Sequence, residues 1–599
     1  MKTKIRIFVF SLLIVATSCS DVLDIAPDGR LTMDEVFQDP DLTAAYFSNC
    51  YNNIPKKSRR YFWFCNIPTA LSDDGMDTEV YTAYAAYTGK VSASNNPLDI
   101  ELNSTMDARF WEKYWTQIRT INVFLKHLPT AVLNNETDRD RWKGEAHVLR
   151  AFFYLQLIKW YGQVPISTSE YSLTESYANV KKAPFNELFD FIIADCDSAL
   201  QSGKMPWRIV DEAEKLRMTK GIATAIKSQA ALYKASKLYC GTENYWQEAY
   251  DINKECFEQL KANGYELYSQ MQTTNYSSAY AEYFVQNGSF STNPVDKETI
   301  WQSDFGEETM SYVAGTPLQG NYKCGVCPTQ RLVDAYDMLA TGKPIYFLEQ
   351  PYLDEQGLQV NINPTSGYNA SKPYTGRDPR LDATVLHDGS TIYLAGQKAS
   401  VQTYTGGNCE MQAGSSKYTI SGYYPFKGEY WNSGDGVSIQ DGKWKYYRLG
   451  EIYLNYAEAA AELGTSESIT KAMELVNEIR HRAGFAPAVD VKAATKEEAI
   501  LIVRHERQVE LAYEEHRYFD VRRWTSADEN LTNEKYAVGM KITKKGLGRT
   551  YERFVINSTD GVIPTKLSYL AKWHFWPISA TEASTMESKT GDVWQNAGW

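Results

Sequence analysis

Cys19 is the side chain whose neighbours most restrict its chemistry. It follows the small residues Ala16, Thr17 and Ser18 and precedes Ser20 and Asp21. Lys2, Lys4 and Arg6 form a positive start, and Ile7 to Ala16 give an apolar stretch of about ten residues, well short of the roughly 20 a membrane-spanning helix needs. A positive end, a short apolar run and small residues are the three parts of an export signal. An ordinary cleavage site needs no cysteine, whereas a thiol here is the nucleophile that a bacterial lipobox presents for acylation. Stable attachment then takes more than one acyl chain. The reading is a signal peptide over 1–18, lipidation at Cys19, and a soluble body held at a membrane outside the cytoplasm.

The other reactive side chains form no catalytic pattern. Cys324-Gly-Val-Cys327 has the two-residue gap of redox and zinc motifs, but no second pair, histidine cluster or thioredoxin-like setting accompanies it. The nine cysteines are sparse for an exported chain of this size and define no disulfide framework. "RHERQVE" has His505-Glu506 but Val509 where a zincin's second histidine would stand, and "GTPLQGNYK" spaces Gly315 and Gly320 as a phosphate loop does but carries Asn321 in place of the lysine. Glycoside hydrolysis takes two carboxyl groups about 5–9.5 Å apart, and no enzyme-specific context surrounds any of the 74 acidic residues. No catalytic residue, metal ligand or cofactor is expected; a structural calcium is left open.

The elements that must position any site are mostly helical. The 599 residues are 43% hydrophobic and 23% charged, enough for a large core, and the net charge of −12 disfavours nucleic acid as a partner. Tyrosine is abundant at 42 residues, and its apolar ring with a polar tip suits half-wet binding surfaces as well as cores. Trp111, Tyr114, Ile118, Ile121, Leu125 and Leu128 recur at helical steps, as do Trp142, Ala146, Leu149, Phe153, Leu157 and Trp160. "FNELFDFIIADCDSAL" reads as a shorter helix. Two further helix pairs, around Ala235 and Ala249 and around Ala457 and Ala472, place small residues where antiparallel helices must approach closely, in the manner of tetratricopeptide units. From 264 to 447 the helical pattern fades and about half of the glycines gather, so this segment reads as a loop-rich insertion on a helical scaffold. "IQDGKWKYY" within it reads as a hairpin around Asp441-Gly442. In the stretch 497–524, Glu506, Glu510 and Glu514 recur every four residues with Arg507, Arg517, Arg522 and Arg523 close by, the pattern of one long helix with a salt-bridged surface.

That last stretch, "RHERQVELAYEEHRYFDVRRW", resembles the signature helix of the SusD/RagB family. "RFWEKYWTQIRTIN", "LRAFFYLQLIKWYGQVPI", "PTQRLVDAYDM", "RDPRLDATV", "YRLGEIYLNYAEAAAELG", "FWPISATE" and the terminal "QNAGW" resemble further family motifs in the family's order, with Ala597 standing where the family ending has proline. The resemblance implies a mostly α, tetratricopeptide-like scaffold with a large loop-rich insertion and short β-hairpins. It divides the chain into an N-terminal part over 19–263, the insertion over 264–447 and a C-terminal part over 448–599. It further implies a non-enzymatic surface lipoprotein of the outer membrane that captures oligosaccharide and closes over a SusC-like TonB-dependent transporter. Peptide capture by a RagB-like lid and a purely protein-binding tetratricopeptide scaffold are the alternatives.

In that family ligand contacts come from loops of the N-terminal third and of the insertion. Here the first loop offers Tyr81, Tyr84 and Tyr87 at three-residue spacing with Asp73, Asp74 and Asn95 nearby. The insertion offers Tyr312 and Tyr322 flanking Gln319 and Asn321. A sugar presents apolar C–H faces and a ring of hydroxyls, so flat aromatic walls with a few polar groups are the chemistry that holds it. These ten residues are the candidate contacts.

Overall fold

In the computed structural model the described residues are 31–599, apart from 56–66, 79–82, 88, 100, 104–105, 108, 170–175, 273–275, 286–295, 304–315, 320–323, 355–358, 395–396, 413, 431–439, 442, 532–535, 558–566 and 568–569. The export signal and Cys19 therefore lie outside them. Helices dominate: α1 (Phe110–His127), α2 (Thr137–Tyr161), α3 (Phe185–Leu200), α4 (Lys220–Ala235), α5 (Trp246–Ala262), α6 (Leu449–Leu463), α7 (Ser466–Ala483), α8 (Lys496–Glu510) and α9 (His516–Arg523).

Each of α1 to α7 packs against its neighbour in sequence, and α8 closes on both α6 and α7. The stack continues from α5 to α6 although the whole insertion intervenes in sequence. Small side chains permit this: Ala235 of α4, Ala249 of α5 and Ala459 of α6 form one buried cluster where three helices meet. Ala457 and Ala472 are fully buried at the α6–α7 contact. Threonine hydroxyls start the helices, Thr219 accepting from the Ile222 N–H at 3.1 Å and Thr495 from the Glu498 N–H at 3.2 Å. Gly464 and Gly484, at φ +74° and +110°, end α6 and α7 in the left-handed conformation that a side chain would oppose. The apolar faces read from the sequence point inward, except that Leu125 and Trp142 are only half-buried.

The insertion leaves and rejoins the stack through a strand pair. β2 (Thr299–Gln302) runs antiparallel to β4 (Lys445–Arg448), with Tyr447 opposite Trp301. The hairpin expected around Asp441-Gly442 does not form: Gln440–Asp441 pairs instead with Glu429–Tyr430, and the strand after it turns away to β2. β1 (Gly75–Asp77) pairs with β3 (Val326–Pro328), and β5 (Val538–Lys545) with β6 (Gly548–Val555) in a regular hairpin.

The 497–524 stretch is two helices, not one, and its charges are buried rather than arrayed on a surface. α8 stops at Glu510, and Tyr513 and Glu515 adopt positive φ before α9 begins. The break serves an ion network. Glu510 accepts from Arg380 at 2.8 Å and Arg448 at 2.7 Å, and also from Arg482; Glu514 accepts from Arg448 at 2.7 Å and Lys427 at 2.6 Å; Glu298 accepts from Arg448 at 2.8 Å and Arg482 at 2.9 Å. Arg380 also reaches Asp378 at 2.7 Å and Glu506. Burial would raise the Glu510 carboxyl, but its three guanidiniums hold it far below the ordinary range; Arg448 and Lys427 hold Glu514 at about 2 against the same burial. "RDPRLDATV", "YRLGEIYLNYAEAAAELG" and the signature stretch thus meet in one buried knot that ties the insertion to the helices.

Candidate functional site

The two loops singled out from the sequence emerge from a single strand pair. In the β1–β3 ladder Gly75 lies opposite Pro328, Met76 opposite Cys327 and Asp77 opposite Val326. One step further, Thr78 donates to the Gly325 carbonyl twice, from its N–H at 3.1 Å and its hydroxyl at 2.8 Å. At the opposite end Thr329 does the reverse, its N–H donating to the Asp74 carbonyl at 2.9 Å and its hydroxyl to the Asp73 carbonyl at 2.6 Å. The pair is buried throughout. Gly75 is required by packing: a Cβ there would lie 2.6 Å from the Val326 side chain.

The turn between α8 and α9 supports this junction from below. Tyr513 donates from its hydroxyl to the Val326 carbonyl at 2.7 Å. Arg517 forks onto Asp73 with contacts of 2.7 and 2.8 Å, and Gln508 donates to the Asp74 carboxylate at 2.7 Å. Burial alone would raise the Asp73 carboxyl, but Arg517, seconded by Arg331, holds it below the ordinary aspartate value. For Asp74 burial wins, and with the Asp73 charge adjacent its carboxyl is pushed up to about 7. The two adjacent aspartates are thus shifted in opposite directions, Asp73 down and Asp74 up.

These contacts sort the candidates. Asp73 and Asp74 are buried and committed to Arg517 and Gln508, so they fix the loop's base and offer no carboxylate to solvent. Tyr87 closes the short helix Ala83–Tyr87; its ring packs half-buried against the core and its hydroxyl donates to the Ala70 carbonyl at 2.5 Å. Tyr84 belongs to the same short helix. Asn95 is exposed in a tight turn, paired with Ser92 through both backbone groups and donating from its side chain to the Lys90 carbonyl at 2.8 Å. Gln319 ends the turn Pro317–Gln319. Tyr81, Tyr312, Asn321 and Tyr322 lie outside the described residues; Thr78 is the last described residue before Tyr81, and Cys324, next to Gly325, is the first after Tyr322.

Sequence reasoning missed the residues that do the positioning: Thr78, Thr329, Gln508, Tyr513 and Arg517. Arg517 and Gln508 lie inside the signature stretch, and their distance of more than 400 residues from Asp73 and Asp74 hid the link. Among the described residues no group of three or more His, Cys, Asp or Glu side chains is arranged to hold a metal, and no helix is long and apolar enough to cross a membrane.

Comparison with known proteins gives consistent matches over most of the chain. Residues 265–599 match the model described as the SusD family, and residues 65–240 match one described as "starch-binding associating with outer membrane". SusD-like protein P2 of Formosa agariphila is 22% identical over 538 residues, 88% of this chain and 92% of its own. Among solved structures, a SusD-like protein from Bacteroides fragilis superposes with a TM-score of 0.70 at 23% identity, covering 94% of this chain and 98% of its own. Surface glycan-binding protein A from Bacteroides fluxus superposes at 0.54 with 17% identity, covering 94% and 100%.

Proposed function

The chain belongs to the SusD family, and on that premise we propose that it is a cell-surface, lipid-anchored glycan-binding protein that captures oligosaccharide and passes it to a SusC-like TonB-dependent transporter. One observation carries the reading: the β1–β3 junction joins the two aromatic loops at their roots although about 250 residues separate them, as the Thr78–Gly325 bond spans 247. Two loops rooted side by side can close on one ligand from two directions. Tyr81, Tyr84, Tyr312 and Tyr322 supply flat faces for sugar rings, and Gln319, Asn321 and Asn95 supply polar groups for hydroxyls. Asp73, Asp74 and Tyr87 hold the frame. If each ring contributes as an aromatic pair does, about 0.5–1.5 kcal/mol, three or four rings give an affinity modest enough for release to the transporter. The names of two structural relatives, a surface glycan-binding protein and a SusD-like carbohydrate-binding protein, agree with this ligand class. No part of the proposal requires catalysis.

The test is retention on native gels cast with soluble polysaccharides, amylopectin among them, comparing the wild type with a Tyr81→Ala, Tyr84→Ala, Tyr322→Ala variant. The expected result is that one polysaccharide retards the wild type and the variant migrates freely with an unchanged melting temperature. Equal retardation of both would place the glycan elsewhere, and binding of peptides with no polysaccharide retained would favour the peptide-capturing alternative.

A further inference from the structure

The Cys324-Gly-Val-Cys327 segment has no part in the ligand reading, yet its geometry is specific. In a regular strand, residues three apart point to opposite faces. Here Gly325 sits at φ +75°, so the chain turns between the two cysteines and both thiols come to the same side, Sγ to Sγ 3.3 Å. Both side chains are fully buried, in an apolar cluster with Leu386, Ile392, Val401 and Tyr424. The backbone holds them there: the Cys324 N–H donates to the Ser416 carbonyl at 2.6 Å, and Cys327 lies in the β1–β3 ladder opposite Met76.

We propose that the mature protein carries a disulfide between Cys324 and Cys327, formed by exchange with a disulfide oxidant that the chain meets while folding outside the cytoplasm. The compartment rests on the export signal and favours oxidation. In the first step one of the two cysteine thiolates attacks one sulfur of the oxidant's disulfide, giving a mixed disulfide and releasing one oxidant thiol. The other cysteine then loses its proton and attacks the first cysteine's sulfur, expelling the second oxidant thiol. Two protons and two electrons leave the cysteine pair and reduce the oxidant disulfide to two thiols. Because both sulfurs are sealed in the folded protein, exchange precedes closure of the β1–β3 pair, and the finished bond is shielded from later reduction. The bond would clip the turn at the root of the 320–323 loop whatever ligand that loop receives.

The sequence gives a direct assay. Trypsin cuts after Lys323 and Arg331, so both cysteines fall in the single peptide 324–331. The full-length protein is taken from cell envelopes lysed in N-ethylmaleimide, denatured in the same reagent, digested without reductant and mapped by mass. The expected peptide carries no maleimide, is lighter than the dithiol by two hydrogens, and takes two adducts only after reduction. A Cys327→Ser chain should yield the same peptide with one adduct on Cys324. A wild-type peptide already carrying two adducts before reduction, or one cross-linked to the peptide of Cys409, would overturn the proposal.

Discussion

At the scale of single residues, the junction beneath the candidate loops turns on how burial divides two neighbouring carboxylates. Asp73 has Arg517 and stays charged; Asp74 has a neutral amide and is pushed up to about 7. A folded-state value above the ordinary 3.8 means the folded chain binds the Asp74 proton more tightly than the unfolded chain. That contribution to stability is complete below about pH 4 and is lost as pH rises through 7. Asp74→Asn keeps the site neutral and still accepts from Gln508. We expect the variant to match the wild type in urea denaturation near pH 4 and to exceed it at pH 8, by on the order of 4 kcal/mol. A difference independent of pH would show that Asp74 is charged in the fold. The sequence marked both aspartates as available polar groups because pattern reveals residue type, whereas availability depended on Arg517 and Gln508, far away in the chain.

At the scale of elements, the division of the signature stretch into α8 and α9 follows from the charges it carries. An unbroken helix would hold Glu506, Glu510 and Glu514 on one face. The break lets Glu514 reach Lys427 and Arg448 while Glu510 takes three arginines: Arg380 from the insertion, Arg448 from the end of β4 and Arg482 from α7. Removing one member of such a buried set leaves charge uncompensated, at a cost of about 3–5 kcal/mol. Glu510→Gln is therefore expected to lower the unfolding free energy by about that amount, measured in urea at neutral pH. Both carboxyls are held below their ordinary value of 4.5, so their stabilisation is present above that pH and lost as pH falls toward 2 and below. The wild-type advantage over Glu510→Gln should shrink on acidification; a constant gap would argue for a packing role alone. Helical periodicity made α1 to α3 legible, since their apolar stripes match their buried faces. The same periodicity misled at 497–524, because alternating charges look alike on a solvent face and in a buried knot.

At the scale of the whole molecule, one continuous helical stack carries a long looped-out insertion, and the insertion returns through strand pairs to complete a junction with the N-terminal part. The C-terminal tail closes the body against α2: the Trp576 N–H donates to the Trp160 carbonyl at 2.8 Å and the Asn596 amide to the Tyr161 carbonyl at 2.9 Å. On the proposed reading, attachment to the membrane rests on Cys19. Cys19→Ala is expected to lose an incorporated acyl label and to move from the membrane to the soluble fraction. A variant that keeps the label would contradict lipidation at that residue.

The sequence by itself determined the family, the helical class, the close contacts at Ala235 and Ala249, and the two segments in which ligand loops were sought. Each of these is written in local spacing or in residue size, which survive without coordinates. Only the tertiary structure decided that those segments share one strand pair, that Asp73, Asp74 and Tyr87 face the frame, and that Cys324 and Cys327 face each other. The shared strand pair and the burial of Asp73 and Asp74 depend on contacts between residues hundreds of positions apart, while Tyr87 and the two cysteines are placed by the local backbone, Gly325 turning the chain between the thiols; a chain read in order records neither.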